Sequence, residues 1–182
     1  MKVIGVVGLP ASGKGEFSKI AAGMGIPVIV MGDMIRNAVR EAGLEPTDAN
    51  FGSMANRLRS EGGMDAVAKL CIPEIQKQSA PLVLIDGIRG DTEVALFRSH
   101  FSGFVLVSID SSFENRLARI AARARSDDFT SADALRNRDE REQKWGLLAA
   151  LKRANVRICN EGTLEEFSRA VSTLLAKIGR DP

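Results

Sequence analysis

The residues Val6–Phe17, read VVGLPASGKGEF, close a short apolar run and open a stretch with helical spacing. Gly8, Gly13 and Lys14 fall at the fixed positions of the pattern G-x-x-x-x-G-K-[ST]. Glycines at these points let the chain curl until successive N–H groups point inward at phosphate oxygens. The amino end of the following helix adds a partial positive charge, and Lys14 reaches the terminal phosphates. The pattern breaks at its last position. Gly15 stands where a magnesium-binding hydroxyl is expected, and Glu16 follows it.

Outward from the loop, apolar runs alternate with helical patterns. The runs 2–7, 27–31, 81–86, 103–110 and 155–159 read as buried strands. The first helical pattern covers 13–24, and others follow at 33–42, 53–78, 91–99, 112–125, 132–153 and 164–178. Continuously apolar strands separated by helices predict an α/β fold, a parallel sheet covered on both faces. Ligands of such sheets bind beyond the carboxyl ends of the strands. Asp33, Asp86, Asp110 and Asn160 lie at or just past those ends. The stretch 33–79 is long for a single crossover and predicts a helical subdomain inserted after the second strand.

The 182 residues carry a net charge of +2, which gives no sign of a broad nucleic-acid-binding face. Seven arginines between Glu114 and Glu142 are matched by seven acids, so that segment is no basic stripe either. Cys71 and Cys159 are far apart and suit no metal spacing, so free thiols are expected. No run reaches the roughly 20 apolar residues of a membrane span, and a cytoplasmic setting is expected. His100, the single histidine, lies at no strand end and is expected on the surface.

With the missing hydroxyl, a magnesium ion must be held by phosphate oxygens, water and a nearby carboxylate acting through water. Asp86 is the first candidate and Asp33 the second.

At this point the chain resembles the P-loop nucleoside monophosphate kinases, adenylate kinase above all, which also carry G-K-G in the loop. The resemblance continues through Gly32-Asp33-Met34-Ile35-Arg36 and through Asp86-Gly87-Ile88-Arg89, which is one residue shorter than the family's motif. Arg116-Leu117-Ala118-Arg119, Arg125-Ser126-Asp127-Asp128, Arg136 and Asn160-Glu161-Gly162-Thr163 follow in the family's order. Among these kinases the chain is most similar to the archaeal adenylate-kinase-related proteins. The resemblance implies a three-layer α/β/α P-loop NTPase fold with a five-stranded parallel sheet. It also implies a mobile acceptor-binding subdomain at 33–79 and a lid at 125–143.

The resemblance further assigns roles. Gly8, Leu9, Pro10, Ala11, Ser12, Gly13, Lys14, Gly15 and Glu16 would hold ATP, with Arg119, Asn160 and Gly162 around its base. Asp33, Arg36, Arg89 and Glu93 would hold the acceptor. Lys14, Arg89, Arg125 and Arg136 would act on the transferring phosphoryl group, with Arg123 and Arg138 in reserve. Transfer to a phosphate needs positioning and positive charge rather than a general base. Glu16 and Glu93 depart from the family, which places threonine and glutamine there. Three readings therefore stand: ATP- and Mg2+-dependent transfer to an AMP- or CMP-like monophosphate, a hydroxyl kinase similar to dephospho-coenzyme A kinase with Asp33 as base, and an ATP-hydrolysing switch acting through a protein partner.

Overall fold

The computed structural model describes residues 1–123 and 131–180. Five parallel strands form one sheet: β1 (Lys2–Val7), β2 (Val28–Val30), β3 (Leu82–Ile88), β4 (Phe104–Asp110) and β5 (Val156–Cys159). Their order across the sheet is β2-β3-β1-β4-β5. The five apolar runs therefore form strands within a residue or two of the expected limits. The helices are α1 (Lys14–Gly23), α2 (Met31–Glu41), α3 (Asp48–Gly62), α4 (Ala66–Gln76), α5 (Asp91–His100), α6 (Phe113–Arg123), α7 (Ala132–Lys144), α8 (Leu147–Lys152) and α9 (Leu164–Arg180).

Alternate residues of the central strands face opposite layers, as the pleat requires. Val3 and Val7 of β1 and Val83 and Ile85 of β3 meet Val67, Cys71 and Ile75 of α4, Phe97 of α5 and Leu147 of α8. Ile4 and Val6 of β1 and Leu84 of β3 meet Phe17 and Ala21 of α1 and Phe167, Val171 and Leu175 of α9 on the other face. The α/β fold with a five-stranded parallel sheet is thus the one the sequence predicts.

Two long helical patterns are divided. The pattern at 53–78 becomes α3 and α4, because Gly63 takes a left-handed backbone (φ +91°) that ends the first helix. The pattern at 132–153 breaks at Trp145-Gly146 into α7 and α8. The 3.6-residue period runs through both breaks and so hides them. In the segment 33–79, α4 packs into the same hydrophobic cluster as the sheet. Thr47 caps α3, its hydroxyl accepting from Asn50 N at 3.2 Å. Cys71 is buried, Cys159 is exposed, and both are free thiols. His100 is exposed. Among the described residues, no helix is long and apolar enough to cross a membrane.

Candidate active site

The loop between β1 and α1 sits at the carboxyl end of the sheet. Gly13 has φ +119°, and a Cβ there would stand 2.4 Å from Asn160 Nδ2, so only glycine fits. Ala11 is the one non-glycine residue with positive φ (61°) among those described. Such strain persists where surrounding structure enforces it, and it collects at functional sites. Here the enforcement is visible. Asn160 Nδ2 donates to Ser12 O at 2.8 Å, and Arg116 Nη1 donates to Pro10 O at 3.1 Å. No side chain caps the amino end of α1, which leaves its first N–H groups for a ligand.

Lys14 folds back over the loop, and its Nζ donates to Gly8 O (2.6 Å) and Leu9 O (2.9 Å). Withdrawal from water, and then the nearby charge of Arg89, bring its pKa down to about 8. Asp86, near the end of β3, accepts from Ser18 Oγ at 2.7 Å. Ser18 follows Gly15 by one helical turn, so a hydroxyl just beyond the loop orients the carboxylate.

Lys14 and Asp86 line a cleft of ≈ 520 Å³. Its floor is the loop, through Pro10, Ala11, Gly13, Lys14, Gly15 and Glu16. Gly32 and Arg36 of α2 form one wall, with Asp86, Gly87 and Arg89 beside them. Arg119, Asn160, Gly162, Leu164 and Phe167 form the other end, and Arg138 of α7 reaches in. Arg119 is fixed by bonds to Ser111 Oγ (2.8 Å) and Asn160 O (2.6 Å).

Most of the residues proposed from sequence thus meet in one place, but not all. Gly8, Leu9 and Ser12 brace the loop from within. Asp33 does not line the cleft; its half-exposed carboxylate is held by Arg36 Nη2 at 2.5 Å. Glu93 presents nothing to the cleft. It is fully buried, pairs with Arg59 at 3.0 Å, and accepts from the backbone N–H of Arg89 (2.7 Å) and Gly90 (3.1 Å). Arg136 also points away, pairing with exposed Asp133 at 3.0 Å and lying over the Phe113 ring. Arg138 reaches the cleft in its place, since two residues along a helix turn a side chain to nearly the opposite face. Arg123 lies at the end of α6, its side chain outside the described residues, and Arg125 lies outside them altogether.

The sequence does not show that three carboxylates are buried and hold arginines. Glu93 grips Arg59, Asp139 grips Arg116 in two bonds of 2.8 and 2.7 Å, and Glu142 grips both Arg89 and Arg138. Burial alone would raise the pKa of Glu142, but the charges of Arg89, Arg138 and Lys14 outweigh it and hold it low. The acids at 139 and 142 lie one turn apart within an apparently solvated run, and only tertiary packing shows which face they occupy.

A Cβ at Gly15 would meet nothing within 4 Å. Gly15→Ser should therefore fold normally and raise magnesium affinity in the presence of nucleotide about threefold or more, by adding a direct oxygen ligand. An unchanged magnesium titration would show that the hydroxyl site has no bearing on the metal.

A family model described as an AAA domain matches residues 7–136. A UPF0200 protein of Methanoregula boonei is 62% identical over the full length of both chains. Another from Methanoculleus marisnigri is 58% identical over 98% of each. Among solved structures, TT1252 from Thermus thermophilus superposes with a TM-score of 0.61 at 19% identity, covering 97% of both chains. A gluconokinase from Sinorhizobium meliloti gives 0.55 at 19% identity, over 98% of this chain and 93% of that one. A shikimate kinase from Aquifex aeolicus gives 0.54 at 18% identity, over 96% of each. These likenesses are those of the fold, and the sequence relatives extend end to end. The chain belongs to the UPF0200 family and carries the AAA domain over most of its length.

Proposed function

We propose that this protein is an ATP-dependent phosphotransferase, assisted by Mg2+, whose acceptor is a nucleoside monophosphate of the AMP or CMP kind. One observation carries the reading. Among the described residues, Lys14, Lys19, Arg36, Arg89, Arg119 and Arg138 line one cleft against only Glu16 and Asp86. Six cations facing two carboxylates suit two phosphate-bearing ligands better than one. Lys14 and the loop would hold the donor phosphates, and Arg119 would flank the base. Arg36 and Arg89, on the opposite wall, would hold the acceptor phosphate. An acceptor that is already an anion needs no base, and the cleft has no histidine.

The donor set also suits magnesium. Among the described residues, no group of three or more His, Cys, Asp and Glu side chains could hold a bare metal ion. Asp86, steadied by Ser18, offers a single carboxylate to a cation that keeps most of its water. When bound, magnesium neutralises charge between donor phosphates. The protein's own part is to fix positive charge around the point of transfer and to bring both phosphates into line.

A hydroxyl acceptor is the second reading, favoured by the fold shared with a gluconokinase and a shikimate kinase. It requires Asp33 as base, and there Arg36 already engages the Asp33 carboxylate.

The test is ADP formation from Mg-ATP, alone and with AMP, CMP, UMP, GMP or dephospho-coenzyme A. Stimulation by one monophosphate is expected. Arg36→Ala should then raise KM for that acceptor about 10- to 100-fold and leave ATP affinity within about threefold, the range for a charge-assisted contact. Stimulation by dephospho-coenzyme A that is lost in Asp33→Asn would transfer the assignment to a hydroxyl kinase. Slow ADP release indifferent to every acceptor would make the protein an ATPase or a nucleotide switch.

A further inference from the structure

We propose that Glu142 is a positioning residue: it sets the guanidinium groups of Arg89 and Arg138 side by side at the point of phosphoryl transfer. The inference rests on the phosphotransferase reading for its catalytic consequence, though not for its geometry.

Glu142 is fully buried, whereas the side chains of Arg89 and Arg138 keep 19% and 20% of their exposure and line the cleft. The carboxylate therefore lies behind the two arginines and meets no ligand itself. Its Oε1 accepts from Arg89 Nη1 and from Arg138 Nε, the latter at 3.1 Å. Arg138 is four residues before Glu142 on α7, so helix geometry brings the two together. Arg89 comes from the turn after β3, more than fifty residues away. One carboxylate oxygen thus joins the acceptor wall of the cleft to the helix that follows residues 124–130.

The other oxygen is unusual. Oε2 is buried and has no hydrogen-bond partner among the described residues. A half-satisfied buried carboxylate is a cost to stability that an apolar side chain would avoid. Its placement has a use if the arginines must be held in one arrangement and aimed. Arginine side chains have many rotamers, and two like charges converging on the same point repel. A buried anion between them removes the repulsion and selects one arrangement before any phosphate arrives. Such preorganisation acts on the transition state, where charge spreads over the equatorial oxygens of the moving group. It should show in kcat rather than in ATP binding, which Lys14 and the loop provide.

The test uses Glu142→Gln in the full chain, with two measurements. The first is the guanidinium N–H NMR spectrum of the nucleotide-free protein. Signals of Arg89 and Arg138 that resist exchange with water are expected in the parent and lost in the variant. Those of Arg59 and Arg116, held by Glu93 and Asp139, are expected to persist and report that the variant is folded. The second is kinetics, with kcat expected to fall 10- to 100-fold while the Kd for ATP stays within threefold. If the variant does not fold, Glu142→Asp replaces it, keeping the charge with a reach shortened by one methylene. Its expected signature is loss of the Arg89 signals alone, with kcat down 3- to 10-fold. Unchanged Arg89 and Arg138 signals in the folded variant would overturn the proposal, as would an effect confined to ATP affinity. If the parent transfers phosphate to no acceptor, the kinase reading fails, and the NMR comparison still decides whether Glu142 positions the pair.

Discussion

Lys14→Met is expected to reduce phosphoryl transfer by about three orders of magnitude or more and to weaken ATP binding at least 100-fold. The size follows from removing the one side-chain cation seated inside the loop, in a cleft where charge stabilisation is worth several kcal/mol. The empty variant should melt no lower than the parent. The fold disfavours the charged amine it would lose, as the pKa near 8 records. The same shift gives a pH dependence with a definite sign. The folded-state pKa lies below the ordinary value of 10.5, so the fold's penalty for the charged amine is present below pH 8 and fades as pH rises from about 8 toward 10.5. Phosphate binds the charged form. In the parent, ATP affinity should be flat with respect to this group below pH 8 and fall up to tenfold per pH unit above it. Binding should take up almost no proton at pH 7 and close to one at pH 9. Calorimetry in two buffers of different ionisation enthalpy measures that uptake directly. Native ATP affinity in Lys14→Met would remove the loop from the phosphate site altogether.

The backbone part of this site was legible in the sequence because its chemistry is local. Gly8, Gly13 and Lys14 are spaced for a loop whose own N–H groups do the binding, and the flanking apolar and helical periods place it between a strand and a helix. Asp86 was legible for a related reason, since the end of a buried strand in a parallel sheet faces the ligand whatever the details, and Arg89 was named from the family resemblance. Asn160 lies beyond β5 by the same rule, whereas Arg119, inside α6, was named from the family resemblance. What was hidden is nonlocal. Arg136 and Arg138 look equivalent in the string LRNRDER, and only the docking of α7 decides which enters the cleft. Glu93 has the spacing of a residue that reads an acceptor base, yet it is turned inward by Arg59, which arrives from α3. Ser18, one turn beyond Gly15, was visible in the sequence, but its meaning depended on Asp86 lying across from it. Buried carboxylates on a charged helix carry no periodic signal, because Asp139 and Glu142 sit in a run of arginines and acids that reads as charged throughout.

Glu93→Gln is expected to destabilise the protein by about 3–5 kcal/mol, the cost of leaving one member of a buried ion pair uncompensated. Arg59 and Glu93 are 5% and 0% exposed, so water cannot replace the lost charge. Burial raises the pKa of Glu93, opposed by the charge of Arg59 and by the backbone N–H of Arg89. Glutamine keeps the shape but loses an acceptor from a group that also serves the N–H groups of Arg89 and Gly90. In a chain of this size the loss corresponds to a fall in Tm of roughly 10–15 °C. The double variant Arg59→Met/Glu93→Gln should regain about half of it or more, because the stranded charge is gone while the two backbone N–H groups keep a neutral acceptor. The consequence should not stop at stability. Those N–H groups set the turn that carries Arg89 into the cleft, so both variants should show a raised KM for the acceptor even at temperatures where they are fully folded. Ordinary surface salt bridges are worth under about 1 kcal/mol. A loss no larger than that in Glu93→Gln would mean that Arg59 finds water or another anion, and that the turn holding Arg89 stands without the buried pair.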